Sequence, residues 1–401
     1  MPSDTARLAD AEETTLSGIA DWILDEGRCL RLGELIAGFG GRLGRAGIPV
    51  SRISLHIRQL HPQFYSRGFF WRRGEAVATE SPREHGIERT SAYLDSPLYR
   101  VYEHGETVRR RLEDPAAPLD FPILEEVRAE GATDYIVLGM PFRAGSGQAI
   151  TLATDRPGGF SDADIALVKG ALPAFAATAE LINLERMAEA LLTTYVGGST
   201  GRRVLAGDIR RGDVRRIRAV LWFSDLRNFT SLSETLPGEA VIDLLNDYFE
   251  AAAEPITAAG GEILKFIGDA MLAILPVAGD GEEDLRRACE NALAAADTAV
   301  SAFEAVNALR AGAGKQTFRA GLALHVGEVL YGNIGTESRL DFTVIGPAVN
   351  LVSRIEQLCA DQGRSVVLSS DFALRLSRPL TSLGRHKLRG IAETQEIFAP
   401  E

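Results

Sequence analysis

The chain has 401 residues, enough for two domains with cores of their own. It carries 43 Lys and Arg against 55 Asp and Glu, a formal net charge of −12, which argues against a nucleic-acid-binding protein that relies on bulk positive charge. No run approaches about 18 consecutive apolar residues, and the N-terminus lacks a basic segment followed by an apolar one, so we expect neither a membrane span nor a secretory signal. The 3 cysteines are too far apart for a disulfide framework or a zinc site, which favours a cytoplasmic protein with reduced thiols.

The N-terminal half opens with a polar segment, residues 1–14, that we expect to be a flexible tail. Apolar residues at helical spacing then predict helices up to Gly40-Gly41. Strict alternation of apolar and polar residues from 52 to 58 predicts a half-buried strand. Further strands are predicted at 69–73, 135–142 and 149–154, the last two joined by a hairpin loop at 144–147.

A long helix is predicted to follow, because Ser161 and Asp164 have the spacing of a capping box. Pro173 is expected to kink this helix. Its apolar residues fit either a dimer seam or an amphipathic helix packed on its own domain. These residues are Ile165, Val168, Leu172, Phe175, Ala179 and Ile182. Glycine and then arginine dominate residues 197–218, which predicts a solvated linker. We therefore expect a sensor domain at 15–160, a helix and linker at 161–216, and a second domain at 217–401.

The second domain alternates strands and helices. Strands are predicted at 217–223, 262–267, 270–275, 318–324 and 340–345, helices at 239–253, 283–310 and 348–360, and short final strands near Val366, His386 and Glu396. This order predicts an α+β fold with helices on one face of a mostly antiparallel sheet.

The first candidate motif is the apolar run that ends at Asp225 and continues as Leu226-Arg227-Asn228-Phe229-Thr230. A carboxylate at a strand end beside free backbone N–H groups suits a metal-bound polyphosphate, because the acid holds the cation and the amides receive phosphate oxygens. The alternative is an Asp that only caps the following helix.

The second candidate motif is the hairpin with Lys265 in one strand and Asp269 at its tip. Gly268-Asp269 could be turn chemistry alone. Lys265, however, is one of 4 lysines in an arginine-rich chain, which favours a position that needs a slim point donor.

The third candidate motif runs from Leu340 to Arg354. Asn350 and Arg354 are four residues apart on a predicted helix, so they share one face. The alternative is a surface Asn–Arg pair of little energetic value.

Taken in order, these motifs resemble the catalytic domain of the class III adenylate/guanylate cyclases, of the bacterial adenylate cyclase type, over about residues 215–400. The resemblance rests on the strand Asp followed by Phe-Thr, on Lys-x-x-Gly-Asp, on Phe-Thr-x-Ile-Gly and on Asn-x-x-x-Arg. It implies a ferredoxin-like catalytic fold and a phosphorus–oxygen lyase that converts ATP to 3′,5′-cyclic AMP and pyrophosphate at a homodimer interface. The alternatives are a guanylate cyclase and a catalytically weak, nucleotide-binding regulatory homologue.

The resemblance also implies roles for individual residues. Asp225 and Asp269, with the backbone carbonyl of Leu226, would bind two divalent cations, Mg²⁺ or Mn²⁺. Asn350 would orient the ribose, and Arg354 would meet the charge that develops on the α-phosphate.

Substrate-binding roles are implied for five more residues. Phe229 and Thr230 follow the strand Asp, and Arg389 falls near a basic residue that the family uses on the terminal phosphates. The ammonium of Lys265 suits the acceptor at adenine N1, and the hydroxyl of Thr343 can accept from the exocyclic amine. Guanine reverses this polarity, which favours ATP. Many relatives have Asp at the position of Thr343.

The N-terminal half weakly resembles a GAF-type sensor domain with an α/β core. This resemblance implies a module that senses a small-molecule or protein effector and sets the geometry of the catalytic dimer. The alternative is a dimerisation module without a ligand. No motif for haem or a bilin is present in this half of the sequence.

Overall fold

The computed structural model describes residues 14–143, 147–279 and 281–401. The predicted tail at 1–14 and hairpin loop at 144–147 therefore lie almost entirely outside the described residues. The chain divides into two compact units, Met1–Leu191 and Leu192–Glu401.

The N-terminal unit is built on a six-stranded antiparallel sheet in the order β3-β2-β1-β6-β5-β4. Its strands are β1 (Val50–Arg58), β2 (Phe64–Arg72), β3 (Thr79–Glu84), β4 (Val108–Arg111), β5 (Asp134–Gly139) and β6 (Gln148–Thr154). Its helices are α1 (Leu16–Leu24), α2 (Leu32–Arg45), α3 (Ser91–Leu94), α4 (Pro97–His104), α5 (Pro122–Ala129) and α6 (Asp162–Val196).

Both faces of this sheet are covered. Ile53, Leu55 and Ile57 of β1 pack in a core with α1, α2 and α6. The intervening polar residues do not face open solvent, because α3, α4 and α5 cover that side. Arg52 is only 9% exposed and Ser54 only 3%. The strand is confirmed, but its prediction as half-buried is wrong because sequence alternation does not reveal what covers the polar face.

Helix α6 begins with the predicted capping box. The Ser161 N–H donates to Oδ2 of Asp164 at 2.7 Å, and the Asp164 N–H donates to Oγ of Ser161 at 3.2 Å. The helix continues through Pro173, and its predicted apolar residues from Val168 to Ile182 are buried in the core of the N-terminal unit. Packing on its own domain therefore accounts for these residues. Among the described helices, α6 alone is long and apolar enough to cross a membrane, a test that a buried core helix also passes.

The C-terminal unit is built on an eight-stranded sheet in the order β13-β14-β12-β10-β7-β9-β8, with β11 paired to β10. Its strands are β7 (Val214–Leu226), β8 (Glu262–Ile267), β9 (Ala270–Pro276), β10 (Ala320–Gly335), β11 (Leu340–Ile345), β12 (Val366–Ser369), β13 (Leu380–His386) and β14 (Gln395–Pro400). Its helices are α7 (Gly198–Leu205), α8 (Phe229–Thr235), α9 (Gly238–Ala258), α10 (Glu282–Gly312), α11 (Pro347–Glu356), α12 (Leu358–Asp361) and α13 (Ser370–Ala373).

Helices cover both faces of this sheet, so the prediction that they lie on one face is wrong. Val220 and Trp222 of β7 pack toward α9 and α10. Ala219 and Leu221, on the opposite face of the same strand, pack toward α11. A strand that is apolar on both faces needs cover on both. The mostly antiparallel character is confirmed, since β10 with β12 is the one parallel pair among the described strands.

The segment predicted as a linker at 197–218 is largely ordered secondary structure. It contains helix α7 and the first residues of β7. Thr200 donates to Oε1 of Glu262 through its N–H at 2.9 Å and its hydroxyl at 2.8 Å, and the hydroxyl of Tyr331 donates to Oε2 at 2.5 Å. A side chain at Gly201 would lie 2.8 Å from the backbone nitrogen of Thr193, so glycine allows close packing here. Composition alone predicts a linker here, since it does not reveal these long-range contacts.

Candidate active site

The acidic pair lies where β7 ends beside the β8–β9 turn. Strands β7 and β9 are neighbours, with Ser224 opposite Met271 in the register. Asp225 follows Ser224, and Asp269 stands in the turn just before β9. Gly268, with φ of 66°, lets the turn close in the left-handed region. The carboxyl groups of Asp225 and Asp269 consequently lie within hydrogen-bonding reach of each other.

A third acidic side chain, which sequence analysis missed, belongs to the same cluster. Glu356 is the last residue of α11 and is 7% exposed. Gly321 pairs with Asp225 across β10 and β7, and a side chain there would lie 2.3 Å from Oε1 of Glu356. The glycine therefore leaves room for a carboxyl group next to Asp225. Glu356 lies two residues beyond Arg354 in the motif, but only the fold brings it to this place.

Like charges and burial dominate the electrostatics of this acidic cluster. Burial first, and then Asp269, raises the pKa of Asp225 to about 8. Burial also raises the pKa of Glu356 to about 7, with nearby Arg227 opposing the shift. Three acids in one place disfavour full ionisation, and a cation among them would reverse that penalty.

The oxygen donors of the acidic cluster fit a hard divalent cation that fills its other coordination positions with substrate phosphates and water. Asp225 and Asp269 offer carboxylate oxygens, and the backbone of Leu226 continues directly from Asp225, with its N–H donating to Oδ1 at 3.0 Å. In the described ranges, no group of three or more His, Cys, Asp or Glu is arranged to hold a metal ion by itself. Mg²⁺ in nucleotide enzymes is commonly bound by one or two carboxylates together with phosphates and water, which matches this incomplete set.

Phe229 and Thr230 stand in the first turn of α8, directly after the acidic strand end. Asn228 precedes them with φ of 60°, a left-handed conformation that no other non-glycine residue adopts within the described ranges. The N–H of Arg227 donates to the carbonyl of Arg319 at 2.8 Å, which anchors the start of this turn to the chain before β10. Phe229 packs against the core of the unit, whereas Thr230 is exposed.

A second cluster forms around Lys265. Its Nζ donates to Oδ2 of Asp341 at 3.2 Å, which joins β8 to β11. Thr343 is two residues further along β11, so it shares a strand face with Asp341. The Thr343 side chain is 6% exposed, and its Oγ1 is buried without a hydrogen-bond partner among the described atoms. Lys265 and Asp341 line an open groove of about 940 Å³.

Asp341 was also missed in sequence analysis. It lies inside the third motif, and the alternation of β11 was sufficient to put it on the same face as Thr343. Its pairing with Lys265 depends on β8 and β11 lying close together, which the sequence did not reveal.

Two further predicted residues lie on α11. Asn350 is exposed and Arg354 is half-buried, one turn apart. Arg354 makes no ion pair with any residue that the structure describes, so its guanidinium is available to an anion. Arg389 is exposed in the turn after β13.

The described contacts thus separate the predicted site into groups. One contains Asp225 and Asp269, with Glu356 added, and another contains Lys265 with Asp341. Between these two groups, no hydrogen bond or ion pair occurs in the described part of the chain, and none joins Arg389 to either group.

Comparison with known proteins identifies relatives of the C-terminal unit. Residues 215–398 match the family described as the adenylate and guanylate cyclase catalytic domain. An adenylate cyclase of Anabaena cylindrica is 34% identical over 173 residues, which are 43% of this chain and 33% of that protein. Adenylate cyclase 1 of Rhizobium meliloti is 30% identical over 181 residues, 44% of this chain and 26% of that protein. The terminal-differentiation-specific adenylate cyclase of Dictyostelium discoideum is 33% identical over 193 residues, 45% of this chain and 9% of that protein. The chain therefore spans a third or less of the length of these relatives.

Solved structures give matches of the same extent. The guanylyl cyclase Cya2 is 32% identical, with 46% of this chain and 92% of that chain covered and a TM-score of 0.40. The adenylyl cyclase CyaB from P. aeruginosa is 25% identical, with 46% and 94% covered and a TM-score of 0.40.

Proposed function

We propose that the chain is an adenylate cyclase, from the premise that residues 215–398 match the family described as the adenylate and guanylate cyclase catalytic domain. As a homodimer it converts ATP to 3′,5′-cyclic AMP and pyrophosphate. The observation that carries the proposal is the meeting of Asp225 and Asp269 at the end of β7, where burial and the neighbouring Asp269 raise the pKa of Asp225. Such a pair is unfavourable in an apo site, and it becomes favourable when cations are bound between the acids.

Asp225, Asp269 and the carbonyl of Leu226 would hold two divalent cations, Mg²⁺ or Mn²⁺. When bound, these cations would lower the pKa of the ribose 3′-hydroxyl and neutralise charge on the triphosphate. Because its pKa is raised to about 8, Asp225 would give up a proton on becoming a ligand near neutral pH. Binding of the substrate with its cations is therefore linked to proton release from this chain.

The remaining residues position the nucleotide for attack of the 3′-oxygen on the α-phosphorus. Asn350 orients the ribose from the exposed face of α11. Arg354, which makes no ion pair within the described ranges, presents its guanidinium to the charge developing on the α-phosphate. The backbone N–H groups of Phe229 and Thr230 donate hydrogen bonds to phosphate oxygens. Arg389, exposed after β13, binds the terminal phosphates.

The base is read by the cluster around Lys265. Its ammonium donates to adenine N1. The hydroxyl of Thr343, which has no hydrogen-bond partner in the part of the chain that the structure describes, accepts from the exocyclic amine. Asp341 holds the lysine at 3.2 Å, which restricts the ammonium to one region of the groove. Guanine would set a donor against a donor, at about 1–3 kcal/mol per unsatisfied group in a closed site. ATP is therefore the proposed substrate.

We propose that each active site combines two chains. Within the described residues of one chain, no hydrogen bond or ion pair joins the acidic cluster to the Lys265 pair, which suits a site assembled from the acidic cluster of one protomer and the base-reading cluster of its partner. The homodimer is proposed to act in the cytoplasm, with the N-terminal unit as its regulatory part.

The first experiment compares the two nucleotides directly. The full chain is incubated with ATP or GTP and Mg²⁺ or Mn²⁺, and cyclic nucleotide and pyrophosphate are quantified. We expect metal-dependent formation of cyclic AMP, its absence in Asp269→Asn, and much slower formation of cyclic GMP. Faster turnover of GTP would identify a guanylate cyclase, and no product with either nucleotide would indicate a regulatory homologue.

The second experiment tests the shared site. Asp225→Ala and Lys265→Ala chains are each expected to be inactive as homodimers. Mixed in verified heterodimers they should recover activity, because one of the two sites then has both intact halves. Heterodimers that stay inactive would rule out a site shared in this way.

A further inference from the structure

The N-terminal unit contains a cavity of about 500 Å³ between its sheet and helices α3, α4 and α5. The polar residues of β1 form its floor. Its volume is in the range of natural small-molecule sites. Its lining includes two arginines, Arg58 and Arg83, and the aromatic residues Tyr65, Phe70 and Tyr102.

This floor is polar where a structural core is normally apolar. Ser54 is 3% exposed and Arg52 9% exposed, yet both stand on a covered sheet face. On the same side of the sheet, toward β4, the packing is apolar, with Val137 and Ala149 in the core cluster. Buried polar groups cost free energy unless they have partners. The fold therefore does not need polar residues at the β1 end, and binding of a ligand gives a reason for them.

Arg58 is the central cation of the cavity. Its guanidinium carbon lies 4.7 Å from the ring centroid of Tyr102, 5.4 Å from that of Tyr65 and 5.7 Å from that of Tyr93. One nitrogen, Nη2, donates to Glu103 at 3.0 Å and to the hydroxyl of Tyr93. Its Nε is buried without a hydrogen-bond partner among the described atoms. Because this Nε has almost no accessible surface, a ligand in the cavity would meet the terminal nitrogens of the guanidinium, which lies among three aromatic rings.

Positive charge exceeds negative charge in the lining. Arg52 is neutralised by Glu126 at 2.8 Å and Glu130 at 3.2 Å. Arg83 is exposed and makes no ion pair with any described residue. Burial, together with Arg83 and Arg52, lowers the pKa of His56 to about 4, so this imidazole is neutral at pH 7. Arg58 is paired with Glu103 at 3.0 Å, which leaves Arg83 as the lining arginine without an ion pair among the described residues.

We propose that this cavity binds a small aromatic acid of one or two rings. The planar ring lies among Tyr65, Tyr102 and Phe70, and the carboxylate accepts from the terminal nitrogens of Arg58, with Arg83 as a second cation. Ring stacking and a charge-assisted hydrogen bond favour the same ligand class. The binding is independent of the proposed cyclase activity, whereas its role as a regulatory signal rests on that activity.

The test measures binding of defined probes to the full chain by isothermal titration calorimetry. The probes are benzoate and 2-naphthoate, and the controls are their neutral amides, benzamide and 2-naphthamide, with inorganic phosphate as an anion without a ring. We expect at least one acid to bind, at least about tenfold more tightly than its amide, and phosphate to bind more weakly than that acid. The absence of binding by both acids at about 1 mM, equal affinity for acid and amide, or tighter binding of phosphate would overturn the proposal.

Variants locate the site. Arg58→Gln should weaken binding about tenfold or more, because it removes a charge-assisted hydrogen bond. Arg110→Gln is the matched control, since the Arg110 side chain is 25% exposed and paired with Asp120, while that of Arg58 is 27% exposed and paired with Glu103. The control should bind like the unchanged chain. If Arg58→Gln does not fold, the exposed Arg83→Gln carries the test, and unchanged affinity there would overturn the proposal.

Activity separates this inference from the proposed function. Addition of the acid that binds should change the rate of ATP turnover of the unchanged chain and not that of Arg58→Gln. Binding without any cyclase activity would leave the ligand site established and refute the proposed function. Normal cyclase activity without binding of either acid would support the proposed function and refute the ligand site.

Discussion

Metal binding to the acidic cluster should release about one proton at pH 7. With a pKa of about 8, Asp225 is protonated in about nine-tenths of the metal-free molecules at that pH. With a pKa of about 7, Glu356 is protonated in about half of them. A carboxylate must be ionised to ligate a cation. We therefore expect about 0.9 proton per chain from Asp225, and up to about 1.4 if Glu356 ionises as well.

The pH dependence has a definite sign. Because the pKa of Asp225 is raised, the carboxyl is protonated below about pH 8 and ionised above it. Release from this group should fall from about 0.9 proton at pH 7 to about 0.1 at pH 9. Metal affinity should rise with pH over the same interval, because a smaller fraction of Asp225 is protonated and fewer protons have to be displaced.

Calorimetry can measure this release. Mn²⁺ is titrated into the metal-free chain in two buffers of different ionisation enthalpy, and the slope of the observed enthalpy gives the number of protons. Glu356→Gln should remove the second contribution, and Asp341→Asn, in the other cluster, should leave the release unchanged. Saturable Mn²⁺ binding with nearly no proton release at pH 7, or with equal release at pH 7 and pH 9, would refute the reasoning.

Three further changes test the site and its surroundings. Asp341→Asn frees the Lys265 ammonium from its 3.2 Å partner, so the KM for ATP should rise several-fold in steady-state assays, with a smaller change in kcat. A several-fold fall of kcat with an unchanged KM would contradict this role of Asp341. Gly321→Ala puts a methyl group 2.3 Å from Oε1 of Glu356 and should lower the free energy of unfolding by about 1–3 kcal/mol in urea titrations; an unchanged midpoint would show that the carboxyl moves freely. Without metal, the urea midpoint of the unchanged chain should fall, relative to that of Asp225→Asn, as the pH rises from about 4 to about 8. The reason is that the folded chain keeps a proton on Asp225 that the unfolded chain has lost. Parallel pH profiles of the two chains would exclude a raised pKa of Asp225.

The elements that carry the motifs could be predicted because their signals are local. The β8–β9 hairpin and β11 appear within one residue of their predicted bounds, since alternation and a Gly-Asp turn define them without help from the rest of the chain. Strand β10 was predicted only to residue 324, whereas it continues to Gly335. Its second half contains glycines and polar residues, and it is a strand because β7 and β11 pair with it.

The candidate site divides in the same way. Sequence analysis selected Asp225 and Asp269 from motifs, and the neighbouring strands β7 and β9 bring them together. It did not select Glu356, because nothing near it in the sequence distinguishes it from a solvated acid at a helix end. It did not select Asp341 either, because alternation gives only the face that this residue shares with Thr343 and not its pairing with Lys265. Their significance comes from Gly321 and Lys265, which are distant in sequence and adjacent in the fold.

The hydrogen bonds of Glu262 bear on where the catalytic unit begins. This carboxylate is 9% exposed and accepts three hydrogen bonds, two of them from Thr200. A fragment trimmed to residue 215, where the family match starts, would strip away both and leave a buried charge with Tyr331 as its remaining donor. The compact C-terminal unit is thus longer than the region that matches the family, and it extends back to include the short helix from Gly198 to Leu205.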